Sequence, residues 1–441
     1  MKKLNIAVIG SGISGLSAAW LLSKRHTVTL FEKADYVGGH SNTIDVETKD
    51  GLIPVDTGFI VFNPDNYPNL CALFRHLDVD CNSTMMTFAL THDNGRYEYS
   101  GSAGGYFGQR RNLINVQHWM MLREMNRFFR HAPRRVALYH GDTPLGVFLE
   151  KERFSRDFID SHIVPMGAAI WSTTADKMLD FPARAFIDFY SNHGLMKFIK
   201  PQSWKTVAGG SRAYVARMIE DGAFDTRLNA DIAAVHRRPD KVLIETRDRV
   251  MHLFDHVVFA THADQALDLL ADADPSESAL LSAFPYQTNT AVLHRDERWM
   301  PKRKGLWSSW NYIRSSEEPD GELCVSYWMN SLQSLKTKEN IFVTLNPTGE
   351  IRADKTERVI SYDHPVFTAA AFRAQENMST IQGYRRNWYC GSYMGYGFHE
   401  DGIASGLTVA EELGGIVRPW AHDAAFSGRR ALETQFREVA E

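Results

Sequence analysis

The spacing of apolar positions changes character twice near the start of the chain. Leu4 to Ile9 is a short apolar run, β-prone at Ile6, Val8 and Ile9. Leu16-Ser17-Ala18-Ala19-Trp20-Leu21-Leu22 then reads as a helix, and Thr27-Val28-Thr29-Leu30-Phe31 as a second strand. Much later, Asp231-Ile232-Ala233-Ala234-Val235-His236 alternates again. The turn Arg238-Pro239-Asp240 follows it, and Lys241-Val242-Leu243-Ile244-Glu245 returns, predicting a hairpin. Asp255 to Thr261 reads as one more buried strand. Strand signals gather at residues 4–60, about 226–262 and about 381–392, separated by helical, aromatic-rich stretches at roughly 66–200 and 266–380. The pattern predicts an α/β fold with one domain built from three segments (1–65, 201–265 and 381–441). A second, α+β domain is inserted as 66–200 and 266–380.

The link between the first strand and the first helix carries the chemistry. Gly10-Ser11-Gly12-Ile13-Ser14-Gly15 is a G-x-G-x-x-G loop in the strand–turn–helix context that gives this motif meaning. Gly10 permits the tight turn, Gly12 lets a pyrophosphate approach the backbone, and Gly15 lets helix and strand pack closely. The helix N-terminus offers free N–H groups to phosphates. Glu32 ends the second strand, where a carboxylate can bind the hydroxyls of an adenosine ribose. The three-segment domain is therefore expected to be Rossmann-like and to bind a dinucleotide.

Composition narrows the class. The net charge of −4 and the absence of a long cationic block argue against a nucleic-acid partner. Cys71, Cys81, Cys324 and Cys390 form no C-x-x-C pair, which fits a reducing compartment and excludes a disulfide framework. His162, His193 and His262 lack metal-ligand spacing, so no metal site is expected. Met1-Lys2-Lys3 before an apolar run superficially imitates a leader, but strand, turn and helix account for the same residues. No apolar stretch is long enough to span a bilayer. A cytoplasmic location follows as the expectation.

Beyond Glu32 and Lys33, Gly38-Gly39-His40 and Ser41-Asn42-Thr43 suit a flavin dinucleotide, whose longer body must run beneath this loop. Val55-Asp56-Thr57-Gly58-Phe59 follows. Near the other end stand Tyr389-Cys390-Gly391-Ser392 and His399-Glu400-Asp401-Gly402-Ile403-Ala404-Ser405-Gly406, the latter opening a helix, Leu407 to Leu413, closed by Gly414-Gly415. A helix N-terminus at Gly402–Ala404 would aim N–H groups at the pyrimidine side of a flavin. On these motifs, spread over nearly the whole length, the chain resembles the flavin-containing amine oxidase superfamily, which includes protoporphyrinogen oxidases and phytoene-type desaturases. More narrowly, Gly38-Gly39-His40 with Val55 to Asn63 resembles bacterial NAD/FAD-binding proteins associated with cyclopropane-fatty-acid-synthase-like methyltransferases. The resemblance implies an amine-oxidase-like two-domain fold, non-covalent FAD and a lipid substrate. It implies pyrophosphate at Gly10, Ser11, Gly12, Ile13, Ser14 and Gly15, ribose at Glu32 beside Lys33, and adenine at the Ile232 backbone. Gly38, Gly39, His40 and Thr43 would follow the phosphate and ribityl stretch. Gly58, Phe59, Gly391, Ser392, Gly402 and Ile403 would lie along the ribityl chain and ring.

Three positions depart from that pattern. His40 replaces the usual arginine, making one pyrophosphate-facing charge pH-dependent. Ser392 replaces a common aspartate. Asn289, counting back from Trp299, occupies the place of a lysine that many amine oxidases carry near the flavin. His399 is the expected catalytic residue, as acid or base; the alternatives are a pocket wall and a histidine bonded beside the helix start. Trp171, Trp204, Trp307, Trp310, Trp328 and Met329 fit a core and an apolar pocket alike. Around Ile114–Phe129, an apolar stripe (Ile114, Met121, Leu122, Met125, Phe128) faces away from Arg123, Arg127, Arg130 and Arg134. It reads as a packing helix or as one lying on the inner face of a membrane. The leading expectation is an FAD-dependent oxidoreductase removing hydride from an apolar, lipid-like substrate. The alternatives are an amine oxidase acting on a small amine, a non-redox flavoprotein, and a partner subunit of a lipid methyltransferase. The sequence leaves the oligomeric state open.

Overall fold

A computed structural model describes residues 2–102, 104–196, 203–314 and 324–423. The strands Asn5–Ile9 and Thr27–Phe31 form as expected and lie parallel, with Val8 opposite Leu30. They belong to a five-stranded parallel sheet in the order Asn387–Tyr389, His256–Phe259, Asn5–Ile9, Thr27–Phe31, Asp225–Arg227. The first strand is central, and its alternate side chains feed two cores. Ile6 and Val8 pack with Trp20 and Leu407, while Ala7 and Ile9 pack with Phe259 and Tyr389 on the other face. A central strand buried on both sides needs an apolar run more than strict alternation.

The helix Ile13–Ser23 is buried along its entire length, because the final helix, His399–Gly414, lies across it. Small residues make this close crossing possible: a Cβ on Gly406 would stand 2.2 Å from the Ser14 carbonyl oxygen. The expected hairpin is present as Ile232–Arg237 against Val242–Thr246, with a third strand, Met251–Phe254, completing a small antiparallel sheet.

The second layer corrects the expectation of helical stretches. Residues 66–200 supply the helices Val116–Val136, Val164–Trp171 and Ala183–Asn192, but also the strands Phe88–His92 and Tyr97–Ser100. The described part of 266–380 supplies five strands beside short helices. Together they form a seven-stranded sheet in the order Thr356–Pro365, Tyr286–His294, Phe342–Leu345, Cys324–Trp328, Trp310–Arg314, Phe88–His92, Tyr97–Ser100. Several of its strands are short and buried on both faces, as in Phe342–Leu345, so period-two alternation is missing where the sheet is deepest.

Packing also places the layers differently from composition. Leu70, Leu73 and Phe74 on the helix Pro68–His76 join the core around Trp20. The helices Ala263–Leu269 and Ala369–Asn377 pack on the opposite face of the parallel sheet through Ala266, Ala371 and Ala374. Conversely, Val46, Ile53 and Val55 of the hairpin Thr43–Thr48/Gly51–Asp56 face the core beneath the seven-stranded sheet. Composition marked where aromatic content rose; contact follows which face each element buries.

Candidate cofactor and substrate site

A cavity of about 670 Å³ runs from the glycine loop to an aromatic wall in the second layer. At its first end Gly10 leaves the strand with φ +99°, and a Cβ on Gly15 would lie 1.9 Å from the Gly10 carbonyl oxygen. Gly12 is different: its backbone is extended (φ −63°, ψ 176°) and its absent Cβ would meet nothing within 4 Å. The space beside Gly12 is therefore open to a bound group. Glu32 stands next to it, one carboxylate oxygen accepting from the Ser11 N–H (2.9 Å) and hydroxyl (2.5 Å), the other from the Ala34 N–H (2.9 Å). Ser11 also accepts from the Gly38 N–H (3.2 Å), so one serine ties both glycine loops to the acid. Gly39, at φ +58°, brings the second loop so close that its Cβ would be 3.1 Å from the Gly12 Cα. Ile232 and Lys33 line the same end, with Arg247 and Asp231.

Of the residues singled out by sequence, Gly10, Ser11, Gly12, Ile13, Ser14, Glu32, Lys33, Gly39, His40, Gly58, Phe59, Ile232, Gly391, Ser392 and His399 line this one cavity. Gly15, Gly38, Thr43, Gly402 and Ile403 do not. Gly15 and Gly38 shape the loops from behind. Thr43 donates to the buried Asp56 carboxylate (2.6 Å), which also accepts from Ser211 and Gln333 and anchors the hairpin. Burial raises Asp56 to about 6 against those hydrogen bonds. The last helix begins at His399, not at Gly402; the Gly402 N–H already bonds the Phe398 carbonyl (3.1 Å). Gly402 packs against Ile13 and Ser14, and Ile403 is core.

His399 is held on every side. Its ring stacks on Phe59 at 3.7 Å and 6°. Its Nε2 is 2.8 Å from the Tyr214 hydroxyl and 3.1 Å from that of Ser41, and these two hydroxyls bond each other. Burial pushes His399 down to about 3, so the imidazole is neutral at ordinary pH.

The middle of the cavity holds a group that the sequence did not single out. His40, His262 and His364 all face it. The His40 and His364 rings are 5.2 Å apart, and His40 lies 4.7 Å from the Tyr362 ring. His262 stacks on Tyr286 at 4.4 Å. Burial, then the neighbouring imidazoles, hold His40 well below the ordinary histidine value; His364 falls to about 4. The pH-dependent charge expected at His40 is thus a neutral ring, with its buried Nε2 lacking a hydrogen-bond partner. Asn289 does not reach the cavity: its Nδ2 bonds His364 Nδ1 (2.9 Å), and its Oδ1 accepts from Asn346 (2.6 Å). No alternation could reveal this group, since its members come from three separated elements.

At the far end, Trp171, Phe189 and Phe398 form one wall, with Trp171–Phe189 and Phe189–Phe398 centroids 4.7 and 5.0 Å apart. Trp310 and Tyr327 (5.2 Å) come from the seven-stranded sheet. Trp204 also lines the cavity, whereas Trp307, Trp328 and Met329 pack elsewhere. Among the described residues, the charged lining residues are Glu32, Lys33, Asp231, Arg247, Asp268 and Asp363; none belongs to the aromatic wall. The two ends suit a dinucleotide at one and an uncharged, apolar molecule at the other.

A family model described as "Flavin containing amine oxidoreductase" matches residues 13–335. The chain is 36% identical over 94 residues to carotenoid phi-ring synthase of Streptomyces griseus, covering 20% of this chain and 18% of that protein. It is 45% identical over 69 residues to the 4,4'-diapophytoene desaturase (4,4'-diaponeurosporene-forming) of Staphylococcus aureus strain Newman, 15% of this chain and 13% of the relative. The aligned segments thus span less than a fifth of either relative. A CLA-producing fatty acid isomerase from P. acnes matches in structure with a TM-score of 0.64 at 17% identity, over 94% of this chain and 98% of the other. Putrescine oxidase matches with a TM-score of 0.67 at 14% identity, over 93% and 99%. Both share the two-domain fold described above.

Proposed function

Because the chain belongs to the flavin containing amine oxidoreductase family and is a flavin-dependent oxidoreductase, we propose that it binds FAD without a covalent link and takes hydride from a C–H bond of an apolar, fatty-acyl- or lipid-like substrate. The observation that carries the substrate class is the aromatic wall, which among the described residues has no carboxylate to pair an ammonium group. The amide of Asn289, turned toward His364, in place of a lysine supports the same reading. None of the four cysteines lines the cavity, which supports non-covalent binding.

In this reading Glu32 holds the adenosine ribose, and the N–H groups at the start of the helix Ile13–Ser23 hold the pyrophosphate. The neutral imidazoles of His40, His262 and His364 offer hydrogen bonds without a fixed charge. The flavin, when bound, accepts the hydride; the aromatic wall excludes water and orients the apolar chain. His399 takes the pocket-wall role rather than that of an acid or base, since it is neutral, stacked, and engaged at Nε2 by Tyr214 and Ser41.

Anaerobic mixing of the purified protein with fatty-acyl lipids and, separately, with simple primary amines tests the substrate. Lipid is expected to bleach the flavin; rapid bleaching by the amine alone overturns the proposal. His399→Phe should keep its flavin and reduce within about tenfold of the parent rate, whereas loss of a general acid or base costs on the order of 10²–10⁴. A fall of that larger size in His399→Phe, with affinity unchanged, would return His399 to proton transfer. Glu32→Ala is expected to weaken FAD binding by about 1.5–3 kcal/mol, the worth of hydrogen bonds to a charged acceptor. Undiminished retention on dilution would show that the ribose is held elsewhere.

A further inference from the structure

We propose that the surface where the helix Val116–Val136 begins docks on an anionic lipid bilayer. The inference concerns the outer surface and rests on no assignment at the cofactor site. Met121, Met125 and Phe128 bury the inner side of the helix, and the Asn115 side chain caps its start by accepting from the Gln117 and His118 N–H groups. Ile114 was expected in that buried stripe, but it is 86% exposed. It belongs instead to an outward cluster with Leu113, Val116 (71% exposed), Trp119 and Met120. Five large apolar side chains within eight residues form an unusual concentration for a solvated face.

The charge that this segment itself carries is almost entirely positive. Residues 104–136 contain seven arginines and a single acid, Glu124, in a chain whose net charge is −4. Glu124 is turned toward Ser155 and Arg127, and Arg127 also donates to the Glu152 and Arg153 carbonyls. Arg110, Arg111, Arg123, Arg130 and Arg134 are exposed and form no ion pair among the described residues. At helical spacing, Val116, Met120, Arg123, Arg130 and Arg134 share one face. Apolar side chains with an aromatic at one end, continuing into unpaired arginines, match a headgroup layer: apolar groups enter the acyl boundary and arginines meet lipid phosphates. A second copy docking through the same patch would set these five arginines against five, so charge disfavours self-association there.

Co-sedimentation with vesicles decides the matter. The full chain is expected to bind vesicles of phosphatidylcholine mixed with phosphatidylglycerol, to ignore phosphatidylcholine alone, and to release at high salt as screening shortens. Each interfacial arginine is worth about fivefold in partitioning. The triple change Arg110→Ala, Arg111→Ala, Arg123→Ala should therefore lower binding about a hundredfold. The pair Ile114→Asp, Met120→Asp should lower it on the order of tenfold. Leu52→Asp, at an exposed apolar position on the hairpin Gly51–Asp56, should change nothing. Circular dichroism and flavin content verify that each variant is folded. No binding to anionic vesicles, binding that both multiple variants retain, or a solution dimer that the Ile114/Met120 pair dissolves each overturns the proposal. None of these results bears on flavin reduction, so this inference and the catalytic reading fail separately.

Discussion

Gly12→Val is expected to fold normally and emerge colourless. The backbone at Gly12 is one that any residue adopts, and a Cβ there meets no protein atom within 4 Å. The free protein should lose little stability. The added methyl groups instead fill the space that a pyrophosphate needs beside Ser11 and Gly39. A steric block at a buried phosphate should weaken FAD binding by at least about a hundredfold, roughly 2.7 kcal/mol. Gly15→Ala makes the contrast: its Cβ would press on the Gly10 carbonyl at 1.9 Å, so it should lower thermal stability whether or not flavin is present. Fluorimetric titration with FAD and melting of the flavin-free proteins separate the two effects. A yellow, stoichiometrically loaded Gly12→Val protein would remove the pyrophosphate from this loop.

Acid should unfold the protein steeply below pH 6. Burial lowers His162, His193, His294 and His364 to about 4 and His399 to about 3, against 6.5 for an exposed histidine. Between those values the unfolded chain binds protons that the fold refuses, so this stability is present above pH 6.5 and is lost as pH falls. Two carboxyls act in the opposite sense. Burial raises Glu400 to about 8 and Asp56 to about 6, so the fold keeps protons that the unfolded chain releases. Above about pH 7 Glu400 outweighs the imidazoles, and stability rises gently as pH falls from 8. Below it, five imidazoles oppose two carboxyls, leaving a net uptake of about three protons and a slope of roughly 4 kcal/mol per pH unit. Against a total stability of about 5–15 kcal/mol, that is decisive within two pH units. Denaturant unfolding at a series of pH values should show a maximum near pH 7, and His162→Phe should reduce the acid slope by about one proton. Stability that holds level or rises from pH 6 to 4.5 would contradict the burial of these rings.

The glycine-loop end of the cavity was legible because its geometry is local. Gly10, Gly12, Gly15 and Glu32 lie within one strand–helix–strand unit, where backbone geometry leaves few arrangements and Gly15 answers the Gly10 carbonyl only five residues away. His399 was legible as a cavity residue, but its state was not: Tyr214 and Ser41, from distant parts of the chain, decide how it is held. The helix His399–Gly414 begins three residues before Gly402, and Gly402 packs against Ile13 and Ser14, a contact that only the fold brings about.

By itself, then, the sequence determined the parallel sheet, the glycine loop after its central strand and the place of Glu32 beside that loop, all of which follow from short-range periodicity and turn chemistry. Only the tertiary structure decided the seven-stranded sheet, the neutral imidazoles of His40, His262 and His364, and the outward turn of Ile114. The physical reason is burial. Whether a strand shows alternation, whether a histidine carries charge and whether an isoleucine meets protein or water are set by what covers them, and those neighbours come from far along the chain.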